Sequence, residues 1–154
     1  AGLSWITILR RRPCYRKAYD GFDPEKMASW SDAKIQALLQ DPGIIRNKLK
    51  VAAAKQNANA YLDVFRQYGS FTEFIWSFVQ GKPLVNHWKT MAEVPATTTE
   101  SDAMSKALKQ RGFKFTGSTI CYAYMQSVGM VNDHVVSCFR HDEINKMSQD
   151  HFNT

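Results

Sequence analysis

Cysteine is scarce in this chain, and long apolar runs are missing. The 154 residues include only three cysteines, Cys14, Cys121 and Cys138. Such an odd, sparse set argues against a secreted scaffold held together by disulfides. No apolar run is long enough to span a bilayer. We therefore predict a protein of the reducing cytoplasm, without a membrane partner, and we expect it to be a monomer.

Sustained alternation of apolar and polar residues, the pattern of strands, is also missing, as are internal repeats and low-complexity tracts. Helix signals are frequent instead. A first helix begins near Ser4 and is predicted to end where Pro13 interrupts it, and the longest helical candidate spans 44–68. Three segments combine a capping side chain with an acidic residue in the first turn: Asp23-Pro24-Glu25, Ser31-Asp32 and Ser70-Phe71-Thr72-Glu73. The fold class predicted is all-α.

Length and composition limit the domain organisation. With 154 residues and 44% hydrophobic residues, the chain is long enough for one domain with a real core. We predict a single helical domain over 1–140 and a C-terminal tail over 141–154. Because the chain opens at Ala1, without methionine and within an apparent structural unit, we expect an N-terminal segment that this sequence does not include.

The charge balance favours a polyanionic partner. The chain has 20 Lys and Arg residues against 14 Asp and Glu residues, a net charge of +6. Many proteins that never bind nucleic acid have a similar excess, so net charge alone does not identify a nucleic-acid-binding protein. The run Arg10-Arg11-Arg12 is more typical of a solvated face than of a phosphate track.

A helix, a short turn and a second helix are predicted over about 102–129. Gly112 suits the left-handed conformation that ends a helix, and Gly129 can end the second one. Ser118 is predicted to cap the second helix. In the turn, Phe113 and Phe115 are expected to point into the angle between the helices.

This helix-hairpin-helix element is a candidate DNA-binding site. An outward Lys114, the turn glycines Gly112 and Gly117, and free N–H groups from Ser118 onward can hold a phosphate. We predict contacts to phosphates rather than to base edges, because the turn offers no bidentate reader. The alternative is an ordinary connection between packed helices, which any α-bundle contains.

Two further features leave alternatives open. His134 and Cys138 are spaced so that a helix would place them on one face as two zinc ligands, or they are packed residues with no metal. Trp5 is a core residue more often than a stacking platform. No nucleophile triad, phosphate-binding loop or paired-carboxylate motif is recognisable.

Five sequence segments occur in the order found in one family: Ala-Gly-Leu-Ser-Trp at 1–5, Trp76-Ser77-Phe78-Val79, Ser101 to Lys109, Arg111-Gly112-Phe113-Lys114-Phe115 and Val131-Asn132-Asp133-His134-Val135-Val136. From residue 1 to about Cys138 the chain closely resembles the bacterial DNA-3-methyladenine glycosylase I family of the helix-hairpin-helix glycosylase superfamily. The resemblance implies a hydrolase that starts base-excision repair by flipping 3-methyladenine out of alkylated double-stranded DNA and excising it.

The resemblance also implies roles for individual residues. Trp5 matches the family's stacking tryptophan, whose electron-rich face favours a cationic base. Leu3 and Ser4 lie beside the pocket, and Leu3 would fill the space left by the extruded nucleotide, unless it is a core leucine. Other superfamily members have a catalytic aspartate where this chain has Asn132, which cannot ionise. We therefore expect a monofunctional enzyme without strand cleavage.

The catalytic residue remains unidentified, because the family's base-contacting glutamate lies upstream of Ala1. The same upstream segment supplies a Cys and a His that complete a structural zinc site with His134 and Cys138. The resemblance thus implies a Zn²⁺ cofactor with two of its four ligands in this chain. The alternative function is a helix-hairpin-helix module that binds DNA without catalysis.

Overall fold

The computed structural model describes residues 4–152, with side chains described up to Met147. In this part of the chain lie eight α-helices: α1 Trp5–Ala18, α2 Pro24–Ala28, α3 Asp32–Leu38, α4 Lys48–Tyr68, α5 Phe71–Trp76, α6 Thr99–Gln110, α7 Ser118–Ser127 and α8 Phe139–Phe152. Two strands of two residues each, β1 Leu84–Val85 and β2 Val131–Asn132, pair in parallel. The all-α prediction is confirmed, and the strands are too short for alternation to reveal them.

The helix caps predicted at Asp23, Ser31 and Ser70 are confirmed. Asp23 Oδ1 accepts hydrogen bonds from the backbone N–H groups of Glu25 and Lys26 at the start of α2. Ser31 and Ser70 each accept a bond from the residue three positions later, at the starts of α3 and α5. Short polar side chains satisfy free N–H groups in this way, so the sequence locates these helix starts.

The predicted break at Pro13 is wrong, because α1 continues through Pro13 to Ala18. A proline within a helix removes one backbone hydrogen bond and crowds the preceding turn. Packing of side chains stabilises the helical turns that follow Pro13 and offsets the lost hydrogen bond. Tyr15 and Tyr19 meet edge to face at 5.4 Å, and Ala18 and Tyr19 are buried in a hydrophobic core.

The first of two compact units contains the chain up to Gln67 together with Gly112–Phe115. Tyr19 and Trp30 lie edge to face in its core, with ring centroids 5.2 Å apart. The core is completed by buried apolar side chains from α2, α3, α4 and the segment before α4: Met27, Leu38, Ile44, Val51 and Ala58.

The second unit contains Tyr68–Arg111 and the chain from Thr116 onward. Here α6 packs against α7, and both helices contribute buried side chains, namely Met104, Leu108, Cys121, Tyr122 and Met125. The stretch predicted as a tail is helical through Phe152, and the division into one domain and a tail stays a prediction. Within residues 4–152, no helix has both the length and the apolar character that crossing a bilayer requires.

Candidate functional site

Trp5 begins α1 with its side chain almost fully in solvent. It is 82% exposed, so the alternative of a core tryptophan is wrong. Ser4 caps this helix by accepting a hydrogen bond of 3.4 Å from the Thr7 N–H. The cap fixes the start of the helix, and the indole face is free to stack on a flat ring. The predicted wedge residue Leu3 lies outside the described residues.

The helix that leads into the hairpin begins earlier than predicted. Thr98 caps α6 in a capping box with Ser101, so the helix starts at Thr99 rather than at Asp102. It ends as predicted, because Gly112 has a φ of +88°, in the left-handed region that glycine adopts at no steric cost.

The hairpin turn is bound to α4 by two amide side chains. Asn57 Oδ1 accepts a hydrogen bond from the Lys114 N–H at 2.8 Å, and Asn57 Nδ2 donates to the Lys114 carbonyl at 3.1 Å. Gln56 Nε2 donates to the Gly112 carbonyl at 2.9 Å. The Lys114 N–H is therefore already paired, and what this residue offers a phosphate is its exposed side chain.

The two phenylalanines of the turn point in different directions. Phe113 is buried, whereas Phe115 is 52% exposed, so the prediction that both point inward is wrong for Phe115. Its φ of +59° is rare for a bulky residue and places the side chain in solvent instead of in the inward position that alternation predicts. The Phe115 ring centroid lies 5.9 Å from Lys50 Nζ on α4.

Ser118 does not cap α7, which corrects that prediction. Gly117 occupies the cap position and supplies no side-chain bond. Ser118 is already the first helical residue, and its hydroxyl pairs with the Ser101 hydroxyl on α6 at 2.7 Å. This pairing ties the starts of α6 and α7 together and leaves the first amides of α7 without a side-chain cap.

His134 and Cys138 come together, but not through a helix. The segment between them is a turn in which the Cys138 N–H donates to the Val135 carbonyl at 2.8 Å. Cys138 Sγ lies 3.7 Å from His134 Nδ1. Tetrahedral zinc with ordinary Zn–S and Zn–N bonds separates two such donors by about 3.5 Å. The pair therefore fits two corners of a zinc site, while no group of three or more candidate metal ligands occurs among the described residues.

Asn132 is fixed by hydrogen bonds on both sides of its amide. Its side chain is 3% exposed, and its Nδ2 donates to the His141 carbonyl at 3.0 Å and to Asn145 Oδ1 at 2.9 Å. Its Oδ1 accepts from the His134 N–H at 3.2 Å. Asn132 thus binds the start of α8 and orients the backbone of the candidate metal ligand.

Asp133 is the centre of a polar cluster that the sequence did not reveal. Its carboxylate accepts hydrogen bonds from Asn86, Trp88 and Gln126. Burial opposes its ionisation, but the polar side chains around it, Tyr122 first and then these three partners, together lower the pKa of Asp133. The ionised carboxylate therefore connects α7 to the segments around β1 and β2. No local signal announces this cluster, since Asn86 and Trp88 lie far away in sequence.

Comparisons of sequence and of structure both find that this chain is similar to 3-methyladenine DNA glycosylases. DNA-3-methyladenine glycosylase 1 of Escherichia coli (strain K12) is 51% identical over 138 residues, which cover 90% of this chain and 74% of that protein. DNA-3-methyladenine glycosylase of Haemophilus influenzae is 49% identical, with 90% and 75% covered. A crystal structure of a variant 3-methyladenine DNA glycosylase I in complex with 3-methyladenine has a TM-score of 0.86 at 34% identity, covering 90% of this chain and 75% of that one.

The family model described as methyladenine glycosylase matches residues 1–141. This match includes the exposed Trp5, the hairpin between α6 and α7, and the pair His134 and Cys138. The chain belongs to the methyladenine glycosylase family.

Proposed function

We propose that this protein is a DNA glycosylase that hydrolyses the N-glycosidic bond of 3-methyladenine in alkylated double-stranded DNA, the first step of base-excision repair. The observation that carries the proposal is the 51% identity, over 90% of the chain, to an enzyme of that name. The exposed indole of Trp5 and the hairpin with its outward Lys114 give the chemistry a physical basis.

Recognition of the base depends on charge as well as shape. A base methylated at N3 is cationic within the nucleotide, so it is a good leaving group and is attracted to the face of an aromatic ring. An indole face favours such a cation by ~0.5–2 kcal/mol. Trp5, which is 82% exposed, can stack on an extruded base without displacing any core contact.

The enzyme is expected to be monofunctional. The position of the superfamily's catalytic aspartate is held by Asn132, which does not ionise and whose amide is committed to His141, Asn145 and the His134 N–H. We also expect that no lysine attacks the sugar to form a Schiff base. Without such a covalent intermediate the DNA strand stays intact, and water hydrolyses the glycosidic bond.

The hairpin is proposed to hold the DNA backbone. Lys114 contributes an exposed point charge, and Gly112 and Gly117 leave the two ends of the turn without a side chain. The uncapped amides that begin at Ser118 can donate to a phosphate oxygen. These contacts position the duplex and carry no sequence information.

We also propose that His134 and Cys138 are two ligands of a structural zinc ion. The Sγ–Nδ1 distance of 3.7 Å supports this role, because the two donors already face each other at nearly the spacing that one ion requires. A site with four protein ligands has no open position for a reactive water. The ion would thus stabilise the turn that precedes α8 and leave the chemistry to other residues.

A cytoplasmic monomer fits these roles. The cysteines Cys14, Cys121 and Cys138 are all free thiols, as expected in a reducing compartment. One stacking residue and one hairpin are enough to hold one extruded nucleotide. Sedimentation at micromolar concentration tests the monomer directly.

The decisive experiment measures free 3-methyladenine released from methylated duplex DNA. It should use the 154-residue chain and a version extended to the length of the E. coli relative, of which this chain covers 74%. Release by the longer protein supports the glycosylase. Binding of methylated duplex by the longer protein without any release would support the alternative, a helix-hairpin-helix module that binds DNA without catalysis.

A further inference from the structure

The first turns of α4 lie in a stretch of the chain that contains no acidic residue. Residues 42–62 include no Asp or Glu, and their cations are Arg46, Lys48, Lys50 and Lys55. Lys55 is engaged, since its Nζ donates to the Trp30 carbonyl at 2.5 Å. The side chains of the other three are exposed. Among the described residues no carboxylate pairs with any of these three.

Lys50 lies on the face of α4 that carries the hairpin turn. Lys50 and Asn57 are seven residues apart, which is two helical turns and therefore the same face. Asn57 holds both backbone groups of Lys114, and Lys50 Nζ lies 5.9 Å from the ring centroid of Phe115. The turn that carries Lys114 and the part of α4 that carries Lys50 thus lie next to each other in the first unit.

We propose that Lys50 is a further phosphate ligand, so that the DNA-contact surface extends from the hairpin turn onto α4. The proposal rests on the DNA-binding role proposed above and adds a contact to it. Both ammonium groups are exposed and neither pairs with a carboxylate among the described residues, so each is available to a phosphate oxygen. The exposed Phe115 ring holds Lys50 beside the turn by a cation–π contact.

The expected partner is the backbone of duplex DNA, read without regard to sequence. Lysine is a compact point charge and lacks the planar fork with which arginine reads guanine. Lys50 should therefore contribute equally to damaged and undamaged duplexes. It should strengthen the initial, salt-sensitive binding that precedes recognition of the damaged base.

The test measures binding of the protein to an undamaged fluorescent duplex by anisotropy, between 50 and 200 mM KCl. Each phosphate contact contributes about 0.9 to the slope of log affinity against log salt. Lys50→Ala should lower the slope by about 0.9 and the affinity at 0.1 M salt by about eightfold. Lys50→Arg, which keeps the positive charge, should retain the slope and the affinity of the unsubstituted protein. An unchanged slope in Lys50→Ala would overturn the proposal.

A matched control is Lys26→Ala, which removes the same charge from the same unit. Lys26 on α2 pairs with Asp23, the residue that caps this helix, at 3.7 Å, so its loss should leave the slope unchanged. A loss of slope equal to that of Lys50→Ala would mean that only net charge matters, and the proposal would fail.

Base release from methylated DNA, measured in parallel, separates this proposal from the proposed function. A reduced slope in Lys50→Ala, together with no base release by the unsubstituted protein extended to the length of its relatives, would support the Lys50 contact and reject the enzyme. Normal base release with an unchanged slope would reject the Lys50 contact alone.

Discussion

Asn57 and Lys114 form a reciprocal pair in which one side chain holds both backbone groups of the other residue. Asn57 Oδ1 lies 2.8 Å from the Lys114 nitrogen, and Asn57 Nδ2 lies 3.1 Å from the Lys114 oxygen. The Asn57 amide thus satisfies the N–H and the carbonyl of one turn residue, as the backbone of a neighbouring strand would do. It fixes the turn that carries the proposed phosphate contact, so a side chain of α4 holds this part of the turn in place.

We expect Asn57→Ala to loosen the hairpin turn and weaken DNA binding. Two hydrogen bonds are lost, each worth about 1 kcal/mol, and the turn must then be ordered by the DNA itself. Affinity for any duplex sequence should fall several-fold, as anisotropy would show. Thermal unfolding should record a loss of about 1–2 kcal/mol.

Asn59→Ala is the matched control on the same helix. The exposed Asn59 donates from Nδ2 to the Lys55 carbonyl within α4, so its loss should change stability by less than about 0.5 kcal/mol. Equal effects of the two alanine variants on DNA affinity would show that the turn does not depend on Asn57.

Trp5→Ala should reduce base release while leaving the fold intact. The side chain is 82% exposed, so its truncation removes little packing, whereas the loss of a stacking and cation–π partner should slow release about tenfold or more. Release of 3-methyladenine at saturating DNA and the melting temperature are the two measurements. Trp30→Ala provides the contrast, because Trp30 is 4% exposed in the core and should cost about 3–5 kcal/mol of stability. A melting temperature that falls as far in Trp5→Ala as in Trp30→Ala would reject the stacking role.

Cys138→Ser should remove zinc without abolishing chemistry. Serine is a far weaker ligand than a thiolate, so the ion proposed between His134 and Cys138 should be lost and stability should fall, while base release persists. Elemental analysis of protein extended to the length of its relatives and purified without chelator gives the metal content. Cys14→Ser is the control, since Cys14 is exposed and belongs to the other unit. Zinc-free wild-type protein would leave His134 and Cys138 as a simple thiol–imidazole contact.

The sequence predicts features whose causes lie within a few residues. The caps Asp23, Ser31 and Ser70 and the helix-ending Gly112 were all identified, because each acts on backbone groups of its own neighbours. The predictions for Pro13 and Ser118 are wrong because tertiary contacts determine the local structure at these two positions. Packing beyond Pro13 carries the helix through it, and the Ser118 hydroxyl bonds to a side chain on another helix.

Contacts between residues far apart in the sequence could not be predicted from it. Asn57 and Lys114 are bonded across 57 residues, and nothing near either one predicts the other. Asp133 is similar, because its partners Asn86 and Trp88 lie more than forty residues earlier. For Trp5 the indole alone did not distinguish core from surface, and its stacking role came from resemblance to a family.

The pH dependence of stability provides a last test, centred on Asp20. Its carboxylate accepts a hydrogen bond from Trp30 Nε1 at 2.6 Å and pairs with Lys34 Nζ at 3.0 Å. These bonds, that from Trp30 first and that from Lys34 second, lower the pKa of Asp20 below its ordinary value of 3.8. A carboxyl whose pKa is lower in the folded state stabilises the fold above the unfolded-state pKa, and this contribution disappears as pH falls through the folded-state value.

Asp20→Asn is a suitable variant, because asparagine tolerates the left-handed φ of +51° found at this position and still offers Trp30 an acceptor. Wild-type protein should therefore melt at a higher temperature than Asp20→Asn near pH 6. The difference should shrink below about pH 4 and vanish once the wild-type carboxyl is protonated. Melting curves of both proteins between pH 2 and pH 7 measure this difference. A gap that stays constant over the whole range would mean that the charge of Asp20 contributes nothing and that only its shape matters.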